Sequence, residues 1–269
     1  MPNAVITTQN FNANGTQASY LSGIAIAMTT AGFDEIDSYT DGGNSFKVFS
    51  FDADPAKTYG KMILRVGFNS DTSMNIAGFS SWNAVNHTGT DASSASVSKT
   101  IALSDSVTVY VCNHPEIRGA ILVRVGSTPL CFIGYLRPPA PVNGWWNENQ
   151  SPLGFIERGA ATNWNSSGLQ PISSLSPSAI TSSLSTATMS NNSTGNPSNN
   201  NIRMSGGVAM SVARSNGFNF LSFSSDLIGS ATNGMDILAT IQIVPGSEEY
   251  AIFDGGATNA ANRIAVRVI

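Results

Sequence analysis

Residues 106–137 decide the fold, and they read SVTVYVC, NHPEIRG, AILVRVG, STP and LCFIGYLR. Three apolar runs are separated by short groups of turn residues. Val107, Val109 and Val111 occupy alternate positions of the first run, which is the period of a strand with one buried face. The third run, 130–136, is apolar almost throughout, as in a strand that is covered on both faces. The stretch therefore predicts three consecutive strands.

Upstream of this triple, residues 16–31 are predicted to form a helix that covers a sheet. Asn14 or Thr16 can cap its start and Gly32 can end it. Apolar residues recur at helical spacing, and alanine and glycine between them suit close packing on strands. The apolar positions are Tyr20 or Leu21, Ile24 and Met28.

Four strands are predicted between the helix and residue 82, and they form a meander. Gly42 and Gly43 supply the positive φ that a tight hairpin requires. Phe46, Val48 and, less strictly, Phe51 alternate with polar residues. Residues 1–15 are predicted to be a polar extended arm, and 84–96 a long polar loop before a strand at 97–103. The four strands are 33–39, 45–51, 62–68 and 74–79.

The character of the chain changes after residue 137. Prolines at 138, 139 and 141 cannot continue a strand ladder. No charged residue lies between Arg158 and Arg203, and this tract is rich in Ser, Thr and Asn. Such a tract is more often ordered when neighbouring subunits hold it. The last third returns to predicted strands at 208–213, 218–223, 235–244, 249–253 and 263–268.

The fold class predicted from these patterns is mainly β. It consists of antiparallel, sandwich-like sheets with one N-terminal helix packed on a sheet and with long polar loops. Residues 1–140 are predicted to form a helix-plus-sheet domain. Residues 141–204 form a tryptophan-containing loop with a Ser/Asn-rich insertion, and 205–269 add strands to the same domain or to a second β domain.

The composition points to a surface that other protein copies cover, or to a rigid extracellular surface. Charged residues make up 11% of the chain, against about 25% in ordinary soluble domains. The net charge of -4 offers no basic patch for nucleic acid. No signal peptide is visible, and no apolar run is long enough to span a membrane. No cofactor is expected.

The sequence offers no motif for catalysis or metal binding. His87 and His114 have no neighbouring nucleophile motif, so both are interpreted as polar turn residues rather than general bases. Two acidic groups could bind calcium, but solvated turns or ion pairs are favoured. Those groups are Asp34, Glu35 and Asp37, whose alternate members share a strand face, and Asp52 with Asp54. The protein is predicted not to be an enzyme.

The two cysteines, Cys112 and Cys131, lie in predicted neighbouring strands. A bridge between them is open, but buried free thiols are favoured.

Four tryptophans are the candidate contact residues. They lie next to Asn, Gly, Pro and Ser, and three interpretations remain open. The rings plug the open end of a β-sandwich, anchor a protein interface, or stack on a sugar beside hydrogen-bonding amides. The residues are Trp145, Trp146, Trp164 and Trp82.

Several segments of the chain are distinctive when they are taken together. They are the helix end with Ala31-Gly32-Phe33 and its following hairpin, FSSWN at 79–83, NHPEIRG at 113–119, YLRP at 135–138 leading to WWNEN at 145–149, VPGSEEY at 244–250 and RIAVRV at 263–268. Together these segments resemble structural proteins of tailed-bacteriophage virions, including those of phages that infect cyanobacteria. The similarity covers most of the chain outside the Ser/Asn-rich tract, and it carries no catalytic residues to these positions.

This resemblance implies a non-enzymatic virion component of the tail, baseplate, neck or fibre region, assembled in the host cytoplasm. Its expected partners are copies of itself and other virion proteins, with symmetric repetition. The first alternative is a module on a tail fibre that binds host carbohydrate or receptor. The second is a capsid decoration protein.

Overall fold

The computed structural model describes most of the first 136 residues and a set of strands beyond them. Antiparallel strands dominate, and one helix is present among the described residues. The mainly β class with an N-terminal helix is therefore confirmed. The described ranges are 5–52, 61–79, 81–90, 97–113, 117–124, 129–136, 155–158, 164–165, 181–183, 205–206, 209–213, 219–223, 228–231, 240–242, 249–253 and 263–267.

The elements follow in chain order. They are β1 Val5–Asn12, α1 Gln17–Thr30, β2 Asp34–Asp41, β3 Asn44–Asp52, β4 Lys61–Ser70, β5 Ser73–Phe79, β6 Ser81–Asn83, β7 Thr88–Thr90, β8 Val97–Thr100, β9 Ser106–Asn113, β10 Ile117–Arg124 and β11 Pro129–Leu136. Beyond these come β12 Phe155–Arg158, β13 Trp164–Asn165, β14 Thr181–Ser183, β15 Ser205–Gly206, β16 Ala209–Ala213, β17 Asn219–Phe223, β18 Ile228–Ala231, β19 Thr240–Gln242, β20 Glu249–Phe253 and β21 Arg263–Arg267.

Two sheets organise the described N-terminal part. Sheet A has the order β1-β9-β10-β11-β12-β13, and sheet B has the order β2-β3-β4-β5-β8. The predicted triple is confirmed as three consecutive antiparallel strands of sheet A. The remaining strands form the β6–β7 hairpin, a sheet of β14-β16-β17 and a sheet of β15-β18-β21-β20-β19.

Two sequence predictions about this region need correction. The segment predicted as a polar arm contains β1, which pairs with β9 from Val5↔Asn113 to Asn12↔Ser106. The segment predicted as a polar loop contains β7, which pairs with β6 from Ser81↔Thr90 to Asn83↔Thr88. In both cases a segment of polar composition forms a strand, because a neighbouring strand supplies the backbone partners that local composition does not reveal.

Helix α1 lies against both sheets, contacting β1, β9 and β10 of sheet A and β2, β3 and β4 of sheet B. Thr16 caps it by accepting a hydrogen bond from the Ser19 N–H at 3.2 Å. Gly32, with φ 92°, follows its end as predicted. Within the described part of the chain, this helix lacks the length and apolar character to cross a membrane.

One apolar cluster joins the helix to both sheets, and we call it the inner core. Alternate residues of the strands point into it, so that its two sides come from different sheets. Its largest fully buried side chains are those of Tyr20, Phe33, Phe49, Phe68, Leu21, Ile24, Met28, Leu64 and Met74. The predicted face of Val107, Val109 and Val111 also lies in it.

The buried polar residue Gln17 ties the helix start to two turns of sheet B. Its amide nitrogen donates to Asn44 at 3.2 Å and to Asp71 at 2.8 Å, and its amide oxygen accepts from the Ser45 N–H at 2.8 Å. The β2–β3 turn at Gly42 and Gly43 has positive φ at both glycines, as the sequence predicts.

Cys112 is a free, fully buried thiol. Its burial raises the pKa of that thiol to about 12. Cys112 pairs with Gly119 of β10 and Cys131 pairs with Leu122 of the same strand, so β10 lies between the two cysteines and they are three residues out of register. Two strand spacings and three residues put their Cα atoms about 14 Å apart. A disulfide spans about 7 Å between Cα atoms at most, and the ladder therefore excludes a bridge within one chain. The side chain of Cys131 lies outside the described residues.

Candidate functional site

The densest group of chemically distinctive side chains lies on the face of sheet B that points away from the inner core. We call it the outer cluster. A small buried apolar group forms its base, and the β6–β7 hairpin covers it. The base residues are Val48, Ile63, Ala77 and Phe79, with Tyr39 and Trp82 packed against them.

A β-bulge in β2 places Asp37 in this cluster. Glu35 pairs with Phe49 and Asp37 pairs with Val48, so Ile36 is the extra residue of the ladder. A regular ladder would put Ile36 opposite Val48 and turn Asp37 to the other face. Glu35 and Asp37 therefore lie on different faces, which corrects the prediction that alternate acidic residues share one. Glu35 instead forms an ion pair with Lys47.

The Asp37 carboxylate holds the hairpin through two hydrogen bonds to one oxygen. The Trp82 indole N–H donates to Asp37 Oδ2 at 2.8 Å, and His87 Nδ1 lies 2.8 Å from the same oxygen. An ionised carboxylate only accepts, so His87 Nδ1 carries the proton. The Asp37 side chain is 7% exposed, whereas that of His87 is 42% exposed.

Aromatic rings and one guanidinium form a closed series of side-chain contacts around the base of the cluster. Tyr39 stacks on His87 at 4.3 Å between ring centroids and on Phe46 at 5.1 Å. The Arg65 guanidinium lies over the Phe46 ring at 5.1 Å and over the Phe79 ring at 5.5 Å. The Trp82 ring completes the series, with its centroid 5.1 Å from that of Phe79 and 6.1 Å from that of Tyr39. Cation–π attraction therefore offsets part of the cost of desolvating Arg65.

The hairpin has its own local order. Asn83 Oδ1 accepts from the N–H groups of Val85 at 2.9 Å and Asn86 at 3.2 Å, which closes the turn. His87 then adopts a left-handed conformation with φ 53°. A Cβ at Gly89 would lie 2.1 Å from the Phe79 ring, so only glycine lets β7 lie this close to the sheet.

The outer cluster holds two side chains of the hairpin in fixed positions on sheet B. The buried carboxylate fixes one imidazole and one indole, and the imidazole keeps an exposed surface beside Asn86 and Val85. Across the described ranges, no three His, Cys, Asp or Glu residues gather as metal ligands. The calcium alternative therefore finds no cluster among those residues, and Asp52 is an exposed strand end.

The sequence-predicted contact residues have different outcomes. Trp82 is half-buried in the outer cluster, and His87 joins it there. Trp164 belongs to β13, whose side chains lie outside the described residues. Trp145, Trp146, His114 and Asp54 also lie outside them. The sequence analysis missed Asp37 and Tyr39 as partners of Trp82, and Arg65 as a member of the same cluster.

A second distinctive feature is the contrast between two sheet edges. β1 is the first strand of sheet A and β2 the first of sheet B, and neither has a further pairing partner among the described strands. β2 carries the carboxylates of Asp34, Glu35, Asp37 and Asp41. β1 reads VITTQNFN and has neither charge nor proline. Charge at an edge blocks further pairing, so β2 is protected, whereas β1 has no such protection and is open to a partner strand as far as the described strands extend.

Comparison with known proteins adds no family to this description. No protein-family model matches the chain, and no curated protein sequence matches it at a significant level. The resemblance to phage virion proteins therefore stays a prediction.

Proposed function

We propose that this protein is a non-enzymatic structural component of a tailed-phage virion, in its tail, baseplate, neck or fibre region. It acts by packing against copies of itself and against other virion proteins. The resemblance of the sequence to phage structural proteins supports the proposal that the protein is a virion component. The open edge of β1 carries the proposal of assembly.

An open edge is an unusual feature to retain. Its unpaired N–H and C=O groups are a template for another strand, and proteins ordinarily protect such edges with charge, proline or a short strand. β1 has eight residues and none of these devices. Sheet B of the same chain has an acidic edge. Among the described strands, an uncharged edge of eight residues in a chain that protects the β2 edge with carboxylates is best explained by a partner strand.

The low charge of the chain supports the same function. With 11% charged residues, copies repel each other weakly. In the outer cluster, Asp37 is hydrogen-bonded to Trp82 and His87, and these bonds hold a hairpin in place. This use of Asp37, Trp82 and His87 fits a structural protein.

Light scattering on the purified full chain tests assembly. We expect a defined oligomer at micromolar concentration, because strand addition and apolar contact act together. A monodisperse monomer over the whole accessible concentration range would contradict assembly by the isolated chain.

Mass spectrometry of purified phage particles, separated into heads and tails, tests whether the protein is a component of the virion and where it lies. We expect the chain in the tail fraction in a fixed ratio to other tail proteins. Recovery with heads alone would replace this reading with the capsid-decoration alternative. Absence from both fractions would contradict the virion proposal.

Carbohydrate binding is the second candidate, and the outer cluster favours it. The exposed ring of His87 and the half-buried rings of Tyr39 and Trp82 lie next to the exposed Asn86. Aromatic faces beside amides suit a sugar ligand. A glycan array tests it, with Asn86→Ala as the variant at this cluster and Trp145→Ala or Trp146→Ala at the tryptophan loop. Loss of binding with assembly intact would favour this candidate.

A further inference from the structure

We infer that two copies of this chain pair through β1, antiparallel across a two-fold axis, with Thr8 opposite the Thr8 of the second copy. The two A sheets then form one continuous sheet. This pairing rests on the assembly function proposed above, and it adds the partner and the register.

The absence of charged residues in β1 favours a second copy of the same strand as its partner. A two-fold axis places the same strand opposite itself, so any charge in the strand meets a like charge. Self-pairing of β2 would bring together the carboxylates of Asp34, Glu35 and Asp41. Self-pairing of β1 meets no such repulsion. The edge is about 27 Å long, which provides a full strand of main-chain hydrogen bonds.

Symmetry limits the register to two central choices. Facing residues of an antiparallel pair share a sheet face, so a two-fold axis between identical strands must place one residue opposite itself. The middle of β1 offers Thr8 and Gln9. Gln9 donates to the Thr30 hydroxyl at 2.9 Å and so already contacts the helix. Thr8 is exposed, and a threonine pair is a favourable cross-strand contact.

The Thr8 register also matches the rest of the strand. It places Thr7 opposite Gln9 and Val5 opposite Phe11. Phe11 packs on the inner core, and its ring meets Tyr20 edge-to-face at 5.3 Å. The Gln9 register would instead place Phe11 opposite Thr7. Pairing at Thr8 therefore sets a valine position, rather than a threonine position, opposite Phe11.

An exposed isoleucine lies near the same edge. Ile26 is 62% exposed, although α1 is buried on most of its surface. It lies one helical turn before Thr30, the residue that Gln9 contacts, and on the same row of the helix. A second copy on β1 would cover this side chain. The apolar exposure and the open edge then have one explanation.

Cysteine substitution tests both the partner and the register. We expect Thr8→Cys to form an intermolecular disulfide under mild oxidation, because its counterpart lies about 5 Å away between Cα atoms. Asn10→Cys is the matched control on the same strand face. In this register, Asn10 and its counterpart are about 14 Å apart, so we expect no disulfide. Non-reducing electrophoresis of the full chain gives the readout.

A charge variant provides a measurement that does not depend on oxidation. Thr8→Lys places two ammonium groups across the axis, and we expect dimerisation to weaken at least tenfold. Thr40→Lys, on the exposed edge of β2, is the control and leaves dimerisation unchanged. Thermal unfolding of each variant shows whether the monomer fold is intact.

The outcomes separate this pairing from the proposed function. If the chain assembles but Thr8→Cys does not cross-link and Thr8→Lys has no effect, the pairing is wrong and assembly uses another surface. If Asn10→Cys cross-links as readily as Thr8→Cys, the register is wrong. If the unmodified chain is a monomer at every concentration, both the pairing and self-assembly are overturned.

Discussion

The two faces of sheet B are both buried, but by different means. The inner face carries Leu64, Val66 and Phe68 from β4, and the helix and sheet A cover it. The outer face carries Arg65 and half-buried aromatic rings, and a ten-residue hairpin covers it. Apolar area stabilises the first face. The second depends on a few bonds of specific geometry, so the two faces should respond differently to substitution.

The largest effect is expected from Phe68→Ala on the inner face. Phe68 is fully buried and its ring meets Tyr20 edge-to-face at 5.8 Å. Removing a buried phenyl ring costs about 3–5 kcal/mol of unfolding free energy, because a cavity remains. Urea denaturation of the variant measures the loss. Val85→Ala is the control, since Val85 is 87% exposed, and a shift there as large as that of Phe68→Ala would contradict the assignment of the core.

Gly89→Ala tests whether the hairpin on the outer face can unfold locally while the rest of the fold stays intact. The added Cβ would lie 2.1 Å from the Phe79 ring, so the ring or β7 must move. We expect a loss of about 1–3 kcal/mol. Hydrogen exchange should accelerate in residues 81–90 and stay unchanged in α1.

Thr88→Ala is the matched control on the same strand, because Thr88 is exposed. It should leave exchange in the hairpin nearly unchanged. Equal acceleration in α1 and in the hairpin of Gly89→Ala would show that the two faces unfold as one unit.

The sequence predicts the inner face well because its signals are local. Helical spacing from Leu21 to Met28, a threonine cap and a Gly-Gly turn lie within short windows. The alternation in β3 is less informative. Phe46 and Val48 lie on the outer face and Phe51 on the inner, because both faces are covered. A strand of this kind has no single apolar period.

The outer cluster could not be predicted in the same way. Its central contacts join Asp37 to residues 45 and 50 positions later in the chain. The bulge at Ile36 also reverses the face on which Asp37 lies, and a period of two does not reveal it. Trp82 and His87 stood out by residue type alone. Their partners required the register of sheet B.

Trp82→Phe separates ring packing from hydrogen bonding on the outer face. The phenyl ring keeps much of the contact with Phe79 and Tyr39 but cannot donate to Asp37. The carboxylate, 7% exposed, then loses one of its two donors at 2.8 Å. We expect a loss of about 1–3 kcal/mol of unfolding free energy. The same substitution in an Asp37→Asn background should cost less, and an unchanged cost would show that the indole contributes through packing alone.

The smallest expected effect is the difference in stability between two variants at His87, and it measures the cost of the left-handed backbone in the hairpin. His87→Ala removes the bond to Asp37 and the stack on Tyr39, but it keeps a side chain at φ 53°. His87→Gly removes the same contacts and also the steric cost of a left-handed residue, which is about 1 kcal/mol. We therefore expect His87→Gly to be more stable than His87→Ala by about that amount in thermal or urea unfolding. If the two variants are equally stable, the left-handed backbone carries no strain, and the imidazole contacts alone account for the histidine at this turn.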